Sequence, residues 1–275
     1  MTIAAGIDIG TSAVKTAIFR VEGGEETPLV LRTDRMLRRN PRTVAEEAYT
    51  VALAGAGLEP GAIDYLATTG EGEVLEIRRG HFYTMTTHAR GARFLMPQAE
   101  AVLDVGALHA RAIHMDGRAK VLQYRMTSQC ASGSGQFLEN IARYLGVTLE
   151  DVGTLSQSAE KPTKISGICA VLAETDVINL VSQGISAGNI LRGIHESMAG
   201  RYLRLLKSAG AKGVVAITGG LSRDAGLVAA MNALSAEQKL DLNIAAPADA
   251  VMAGAIGAAL WGAYRHEILL RRGVA

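Results

Sequence analysis

The sequence predicts an α/β protein built from two related halves, and three observations predict it. The run Ile7-Asp8-Ile9-Gly10 returns as Leu103-Asp104-Val105-Gly106, an apolar–Asp–apolar–Gly ending repeated 96 positions later. Each copy is followed by a second apolar run instead of a helical pattern, so each half opens with a strand, a glycine turn and a returning strand. Both halves then continue into segments with apolar residues at helical spacing. A repeat of this length is a duplicated domain.

Residues 3–9 form an apolar strand, Gly10-Thr11-Ser12 the turn, and Val14–Val21 the return. Strand–turn–strand differs from the strand–turn–helix of a dinucleotide fold, so Gly10 is not part of such a fingerprint. A third strand is expected over 27–32. Pro41 to Ala56 reads as a helix, with Pro at its start, Glu46 and Glu47 in its early turns, and Gly55 and Gly57 at its end. Ile63–Thr69 is a strand running into Thr69-Gly70-Glu71-Gly72, and 84–95 is helical. Pro97 marks a boundary, giving domains 1–97 and 98–275.

The second half repeats the opening with strands over 101–105 and 109–115. A hairpin turn follows at Asp116-Gly117, with a return over 119–125. Residues 136–145 place Phe137, Leu138, Ile141 and Leu145 on one helical face. Residues 171–181 do the same with Val171, Leu172, Val177, Ile178 and Val181, and Gly146 and Gly184 are the stops. Ala187–Leu206 is a long amphipathic helix. Then come a buried strand over 213–217, a glycine turn at 218–222, a helix over 223–234 and a short strand over 242–245. A closing helix over 247–265 has a small-residue face suited to packing back toward the first half.

Hydrophobic residues make up 48% of the 275, ample for a packed core, and the formal net charge is +1. That balance points to neither nucleic acid nor an anionic membrane surface. The start, MTIAAGIDIG, has no positive n-region and meets Asp8, so it is not a signal peptide. No uncharged apolar run reaches the roughly eighteen residues of a membrane span. A soluble, cytoplasmic protein is expected.

Chemistry concentrates in four places. The first turn carries Asp8, Thr11, Ser12 and Lys15. Hydroxyls and exposed amides in a tight turn can wrap phosphate oxygens, and Lys15 adds a point charge; an ordinary hairpin over a buried Asp is the alternative. Halves facing each other would set Asp8 and Asp104 across one cleft, as a magnesium–phosphate site working through water requires. Gly219 and Gly220 would let the backbone approach a flat or phosphorylated ligand, or simply make a strand-to-helix turn.

The only two cysteines, Cys130 and Cys169, sit at or near helix starts. Helix N-termini favour thiolate and stabilise an anionic centre, which suits an iron–sulfur cluster; two buried small hydrophobes are the alternative. A disulfide does not suit a chain with no sign of secretion. A cubane held by four thiolates needs four cysteines, so any cluster here is shared between two polypeptides. The six histidines show no metal spacing, and His88 and His109 read as structural.

DIGTSAVK at 8–15, LDVG at 103–106 and TGGLSRDAG at 218–226 resemble the two phosphate loops and the adenosine loop of the actin, hexokinase and heat-shock-chaperone (ASKHA) ATPases. The CASGSGQFLE and GICAVLAETDVI segments narrow the resemblance to one family. It is the ATPase family of the 2-hydroxyglutaryl-CoA dehydratase activators and the benzoyl-CoA reductase ATPase subunits. The resemblance spans essentially the whole chain. It implies an actin/hexokinase-like fold, two duplicated α/β domains around a nucleotide cleft.

Carried over, Asp8, Gly10, Thr11, Ser12 and Lys15 form the first phosphate loop, Asp104 and Gly106 the second, and Gly219 and Gly220 the adenosine loop. Asp8 and Asp104 take the catalytic role with Mg2+ and ATP. Cys130 and Cys169 become half the ligands of a 4Fe–4S cluster shared with a second, longer ATPase subunit. Ferredoxin would supply electrons, and two further subunits would hold benzoyl-CoA and accept them once nucleotide alters the geometry around the cluster. The implied function is the ATPase and electron-transfer component of an ATP-dependent benzoyl-CoA reductase. Alternatives are an activator of a 2-hydroxyacyl-CoA dehydratase, a small-molecule kinase of the same superfamily, or an ATP-dependent sensor.

One departure stands out. The activators continue their second loop with Gly-Gln-Asp, where this chain has Ala107, Leu108 and His109. Leu108 cannot orient a water as Gln does, so this chain is expected to bind ATP and hydrolyse it slowly. Glu174 lies where the activators also carry a glutamate and is given no role.

Overall fold

Apolar alternation lays down β1 (Thr2–Ile9) and β2 (Ala13–Glu22) as an antiparallel hairpin, in register from Thr2↔Val21 to Ile9↔Val14. The structure is a computed structural model. It describes residues 1–127, 134–165 and 170–274, without the side chains of 170–172. The described chain divides into two compact units. Unit 1 is Met1–Pro97, Asp116–Val121 and the segment from Ala248 onward; unit 2 is Gln98–Met115 and Leu122–Pro247.

In unit 1, β3 (Glu25–Arg35) is longer than the 27–32 expected, because it pairs with β2 along its whole length, Ala13↔Arg35 to Glu22↔Glu25. β4 (Tyr65–Gly70) lies parallel to β1, and β5 (Gly80–His81), too short to leave an alternation in the sequence, lies parallel to β4. The sheet order is β3-β2-β1-β4-β5. Helix α1 (Pro41–Gly55) starts on proline, and the Asn40 side chain accepts from the Arg42 and Thr43 amides. Its buried face, including Val44, Ala48 and Leu53, joins Ile7, Ile9, Val14 and Ile18 in one core.

Helix α2 (Thr84–Leu95) falls on its expected residues. The helix expected over 247–265 is the last in chain order, α8 (Ala253–Arg271). Asp249, left-handed at φ 56°, and a short turn at Ala250–Met252 delay its start. Its small-residue face lets backbones touch inside unit 1. A Cβ on Gly6 would lie 2.1 Å from Ala255 O, one on Gly91 1.9 Å from Ala253 O, and one on Gly257 1.8 Å from Thr87 O.

Unit 2 repeats the plan. β6 (Ala101–Val105) pairs antiparallel with β7 (Ala110–Met115), and β8 (Val121–Met126) follows at the edge. β9 (Gly213–Thr218) runs parallel to β6, and β10 (Leu242–Ala245) parallel to β9. The order β10-β9-β6-β7-β8 gives β6 the neighbours that β1 has: its hairpin partner on one side and a parallel strand on the other. This is the duplicated α/β plan that the repeat predicts. At the turn before β8, Asp116 Oδ1 accepts from the Arg118 and Lys120 amides. The left-handed residue there is Ala119, φ 61°, so β8 starts at Val121 and not at 119.

Between β8 and β9 come α3 (Gly135–Leu145), α4 (Leu149–Gln157), α5 (Ala170–Ser182) and α6 (Ala187–Ser208); α7 (Ala225–Glu237) follows β9. The sequence hid α4, whose nine residues carry few apolar side chains. It is fixed by its cap, Thr148, whose side chain accepts from the Asp151 amide. Phe137, Leu138 and Ile141 of α3 pack with Val177 of α5, Ile190 and Leu191 of α6, and Leu103 of β6 in one core. Among the described residues no helix is long and apolar enough to cross a membrane.

Candidate functional site

In unit 1 the first turn closes tightly, with the Gly10 amide donating to Ala13 O at 3.0 Å. Asp8, next to last on β1, and Lys15, early on β2, are directly opposed in the ladder. Lys15 Nζ lies 3.3 Å from Asp8 Oδ2, and the Asp8 residue is only 6% exposed. A Cβ on Gly10 would sit 2.8 Å from Lys15 Nζ, so the ammonium reaches back over the turn as well. Thr11 and Ser12 stand exposed at the tip. The arrangement offers backbone amides, two hydroxyls and a cation on one side of the turn, a donor set that fits phosphate oxygens. His88, read from sequence as structural, borders Asp8: a Cβ on Gly254 would meet Asp8 Oδ2 and His88 Nε2, each at 2.9 Å. No sequence spacing announces that meeting, because β1, α2 and α8 bring it about.

Unit 2 reproduces this turn 96 positions on. The Gly106 amide donates to His109 O at 2.9 Å, and Asp104 is opposed in the ladder by Arg111. Arg111 Nη1 lies 2.9 Å from Asp104 Oδ2, and Asp104 is 3% exposed. The sequence reading missed Arg111; counting the same seven residues that separate Asp8 from Lys15 would have found it. Each carboxylate already faces a cation, which suits a role toward a hydrated Mg2+ better than direct ligation. Leu108 is 46% exposed, and His109 Nδ1 is buried with no hydrogen-bond partner among the described residues.

The glycine turn after β9 is built against the second loop within the same unit. Gly219 takes φ 82° and ψ −174°, a region essentially reserved for glycine. A Cβ there would lie 2.6 Å from both Asp104 Oδ1 and Val105 O. A Cβ on Gly220 would meet nothing within 4 Å, so this residue presents open backbone to a ligand. The helix expected from 223 starts at Ala225, because Gly220–Arg223 form a separate tight turn. Asp224 then caps α7, with Oδ1 accepting from the Leu227 amide at 3.0 Å. Asp224 Oδ2 is 3.0 Å from His195 Nε2, whose Nδ1 is 2.8 Å from Ser156 Oγ. The order Ser–His–Asp invites a hydrolytic reading, but His195 and Ser156 are sealed from solvent, and the trio clamps α4, α6 and α7 together.

Cys130 and Cys169 lie outside the described residues. Cys169 directly precedes the first residue of α5, and Cys130 stands five positions before α3. The first amides of α3 are taken: Gly135 N donates to Gly106 O and Gln136 N to Ala107 O, both at 3.0 Å, and Phe137 N to Ser134 Oγ at 3.4 Å. What α3 can offer a nearby anion is its dipole, not unused donors. Among the described residues no group of three or more His, Cys, Asp or Glu could hold a metal ion. Two thiols are half the donor set of a cubane.

Known proteins resemble this chain in sequence and in fold. The chain is 62% identical over 274 residues to a subunit of benzoyl-CoA reductase from Thauera aromatica, covering 99% of this chain and 97% of that one. It is 33% identical to the activator of lactoyl-CoA dehydratase of Anaerotignum propionicum, covering 93% and 95%. Its structure matches that of the activator of the 2-hydroxyisocaproyl-CoA dehydratase from Clostridium difficile with bound ADPNP. The TM-score is 0.87 at 28% identity, over 98% of each chain. A glucokinase from Streptomyces griseus, at 14% identity and TM-score 0.56, shares the fold alone. The model of the BadF/BadG/BcrA/BcrD ATPase family matches residues 5–262, and this chain belongs to that family.

Proposed function

We propose that this chain is the ATPase and electron-transfer subunit of an ATP-dependent benzoyl-CoA reductase. It would bind ATP through its two acid–cation hairpins and the glycine turn at 219–220. The observation that carries the reading is the 62% identity with a benzoyl-CoA reductase subunit across almost the whole length of both chains. In this reading Asp8 and Asp104 hold the waters of Mg2+. Lys15, Thr11, Ser12 and the Gly10 and Gly106 turns take the phosphates, and the open backbone at Gly220 takes the adenosine.

Cys130 and Cys169 supply two thiolates to a 4Fe–4S cluster, and a longer ATPase subunit supplies the other two. When bound, such a cluster carries one electron at a time at low potential. Ferredoxin would load it, and two further subunits holding benzoyl-CoA would receive the electron. Exposed apolar residues of unit 2 support a partner. The described large apolar residues of this unit that stand exposed include Leu122, Tyr124 and Met126 on β8, Tyr144 on α3, and Ile178 and Val181 on α5. These elements flank the two cysteine segments in the chain, whereas no such residue is exposed over 182–247.

The test is the iron and acid-labile sulfide content of the complex purified without oxygen, with its visible absorption and its ATP-dependent reduction of benzoyl-CoA. About four irons per pair of ATPase chains is expected, lost on Cys130→Ser or Cys169→Ser. A colourless protein that phosphorylates a sugar would replace this reading with the kinase. The 33% identity to a lactoyl-CoA dehydratase activator favours a second reading, activation of a 2-hydroxyacyl-CoA dehydratase. Support of dehydration, with no support of ring reduction, would select it.

A further inference from the structure

We infer that Arg111 is a phosphate-binding residue of the second loop, the counterpart of Lys15 in the first, and that it takes the terminal phosphates of a nucleoside triphosphate. This inference rests on the reading of the two hairpins as nucleotide loops and adds a residue to it. The two turns share a closing backbone hydrogen bond and a ladder register. Gly10 N donates to Ala13 O and Gly106 N to His109 O, and the cation stands opposite the aspartate in both ladders, Asp8↔Lys15 and Asp104↔Arg111.

The side chains then differ in a way that shifts the burden to Arg111. Thr11 and Ser12 of the first loop are replaced by Ala107 and Leu108, which donate nothing. Between Asp104 and Arg111 the only other polar side chain is His109, whose Nδ1 is buried. One guanidinium nitrogen of Arg111 faces Asp104 at 2.9 Å, and the side chain keeps 22% of its surface exposed. A guanidinium has five N–H donors in a planar fork, so it can hold a carboxylate with one edge and a phosphate with another.

The test titrates the full chain with Mg2+·ADPNP and, separately, with adenosine. Arg111→Gln is expected to weaken ADPNP at least tenfold and leave adenosine within twofold, and Arg111→Lys to restore ADPNP to within threefold of wild type. The adenosine arm separates charge from structure: Gly219 packs on Asp104, so mere damage at the ion pair would weaken adenosine too. Equal weakening of both ligands would overturn the inference. So would ADPNP binding within twofold of wild type in Arg111→Gln while Lys15→Gln loses tenfold, an outcome that leaves the nucleotide reading intact. Wild-type chain that binds no Mg2+·ADPNP would overturn both. Should Arg111→Gln fail to fold once the Asp104–Arg111 pair is lost, Asp104→Asn/Arg111→Gln is compared with Asp104→Asn. A further loss of ADPNP affinity of fivefold or more is expected, and no further loss overturns the inference.

Discussion

Arg111 Nη1 stands 2.9 Å from Asp104 Oδ2 across the β6–β7 ladder, the place that Lys15 holds toward Asp8 across β1–β2. Duplication has therefore kept the charge pairing as well as the fold, while the side chains at the turn tips have diverged. Both carboxylates are buried and both are opposed by a cation, so neither is an uncompensated charge in a low-dielectric interior.

Gly219 and Gly220 are adjacent and predicted to behave oppositely. Gly219→Ala places a methyl 2.6 Å from Asp104 Oδ1 and Val105 O in a backbone region closed to alanine, and is expected to cost at least about 2 kcal/mol. Nucleotide binding should fall with it. Gly220→Ala meets nothing within 4 Å and should leave thermal stability unchanged. Paired melting curves with and without Mg2+·ADPNP check this; equal stability of the two variants would contradict the backbone geometry at 219.

The small-residue face of α8 makes a second prediction. Gly257→Ala sets a Cβ 1.8 Å from the Thr87 carbonyl oxygen, where only backbone movement can relieve the overlap. A loss of about 3 kcal/mol is expected. Gly61→Ala, in open space, is the control. Chemical denaturation compares them, and a Gly257→Ala midpoint matching the control would show that α8 is not seated on α2 in this way.

His81 gives unit 1 a pH response. Burial holds its imidazole below the ordinary 6.5, against the opposing pull of Glu73, and its Nδ1 is 3.0 Å from Thr68 Oγ1. The unfolded chain therefore binds the proton more readily. The stability this residue contributes is complete above pH 6.5 and is lost as pH falls from there through the folded-state value. His81→Gln should lose less stability than wild type between pH 7.5 and pH 5.5. Urea midpoints at the two pH values test this, and parallel losses would rule it out.

Leu108 is 46% exposed, so its replacement costs the fold little. In the proposed complex, with a partner's ATPase site disabled, Leu108→Gln is expected to raise ATP hydrolysis by this chain about tenfold by orienting water. Steady-state phosphate release measures it. No gain, or full turnover by the unaltered chain in that complex, would refute slow hydrolysis at this loop.

The duplicated fold was legible because its signal is local and doubled: Asp8 and Asp104 stand next to last on strands of the same pattern, and apolar alternation marks the hairpins on either side. The opposition of Asp8 to Lys15 was legible for the same reason, since both residues stood in the turn singled out from sequence. What stayed hidden depends on tertiary meeting. Arg111 is an ordinary strand residue until the β6–β7 register sets it against Asp104, and His88 is an ordinary helix residue until Gly254 leaves room beside Asp8. Helix α4 was hidden because its stability comes from a capping threonine and from packing on α6 and α7, not from periodicity. The start of α8 was misplaced because the left-handed Asp249 has no signature in sequence.

The carbonyls of Gly106 and Ala107 each accept a hydrogen bond from the leading turn of α3. Loop and helix are thereby yoked: any ligand that re-forms residues 106–107 must either tilt α3 as a rigid lever or give up two hydrogen bonds, roughly 1–3 kcal/mol together. The end of the helix nearest the loop is the end from which the chain leads back to Cys130.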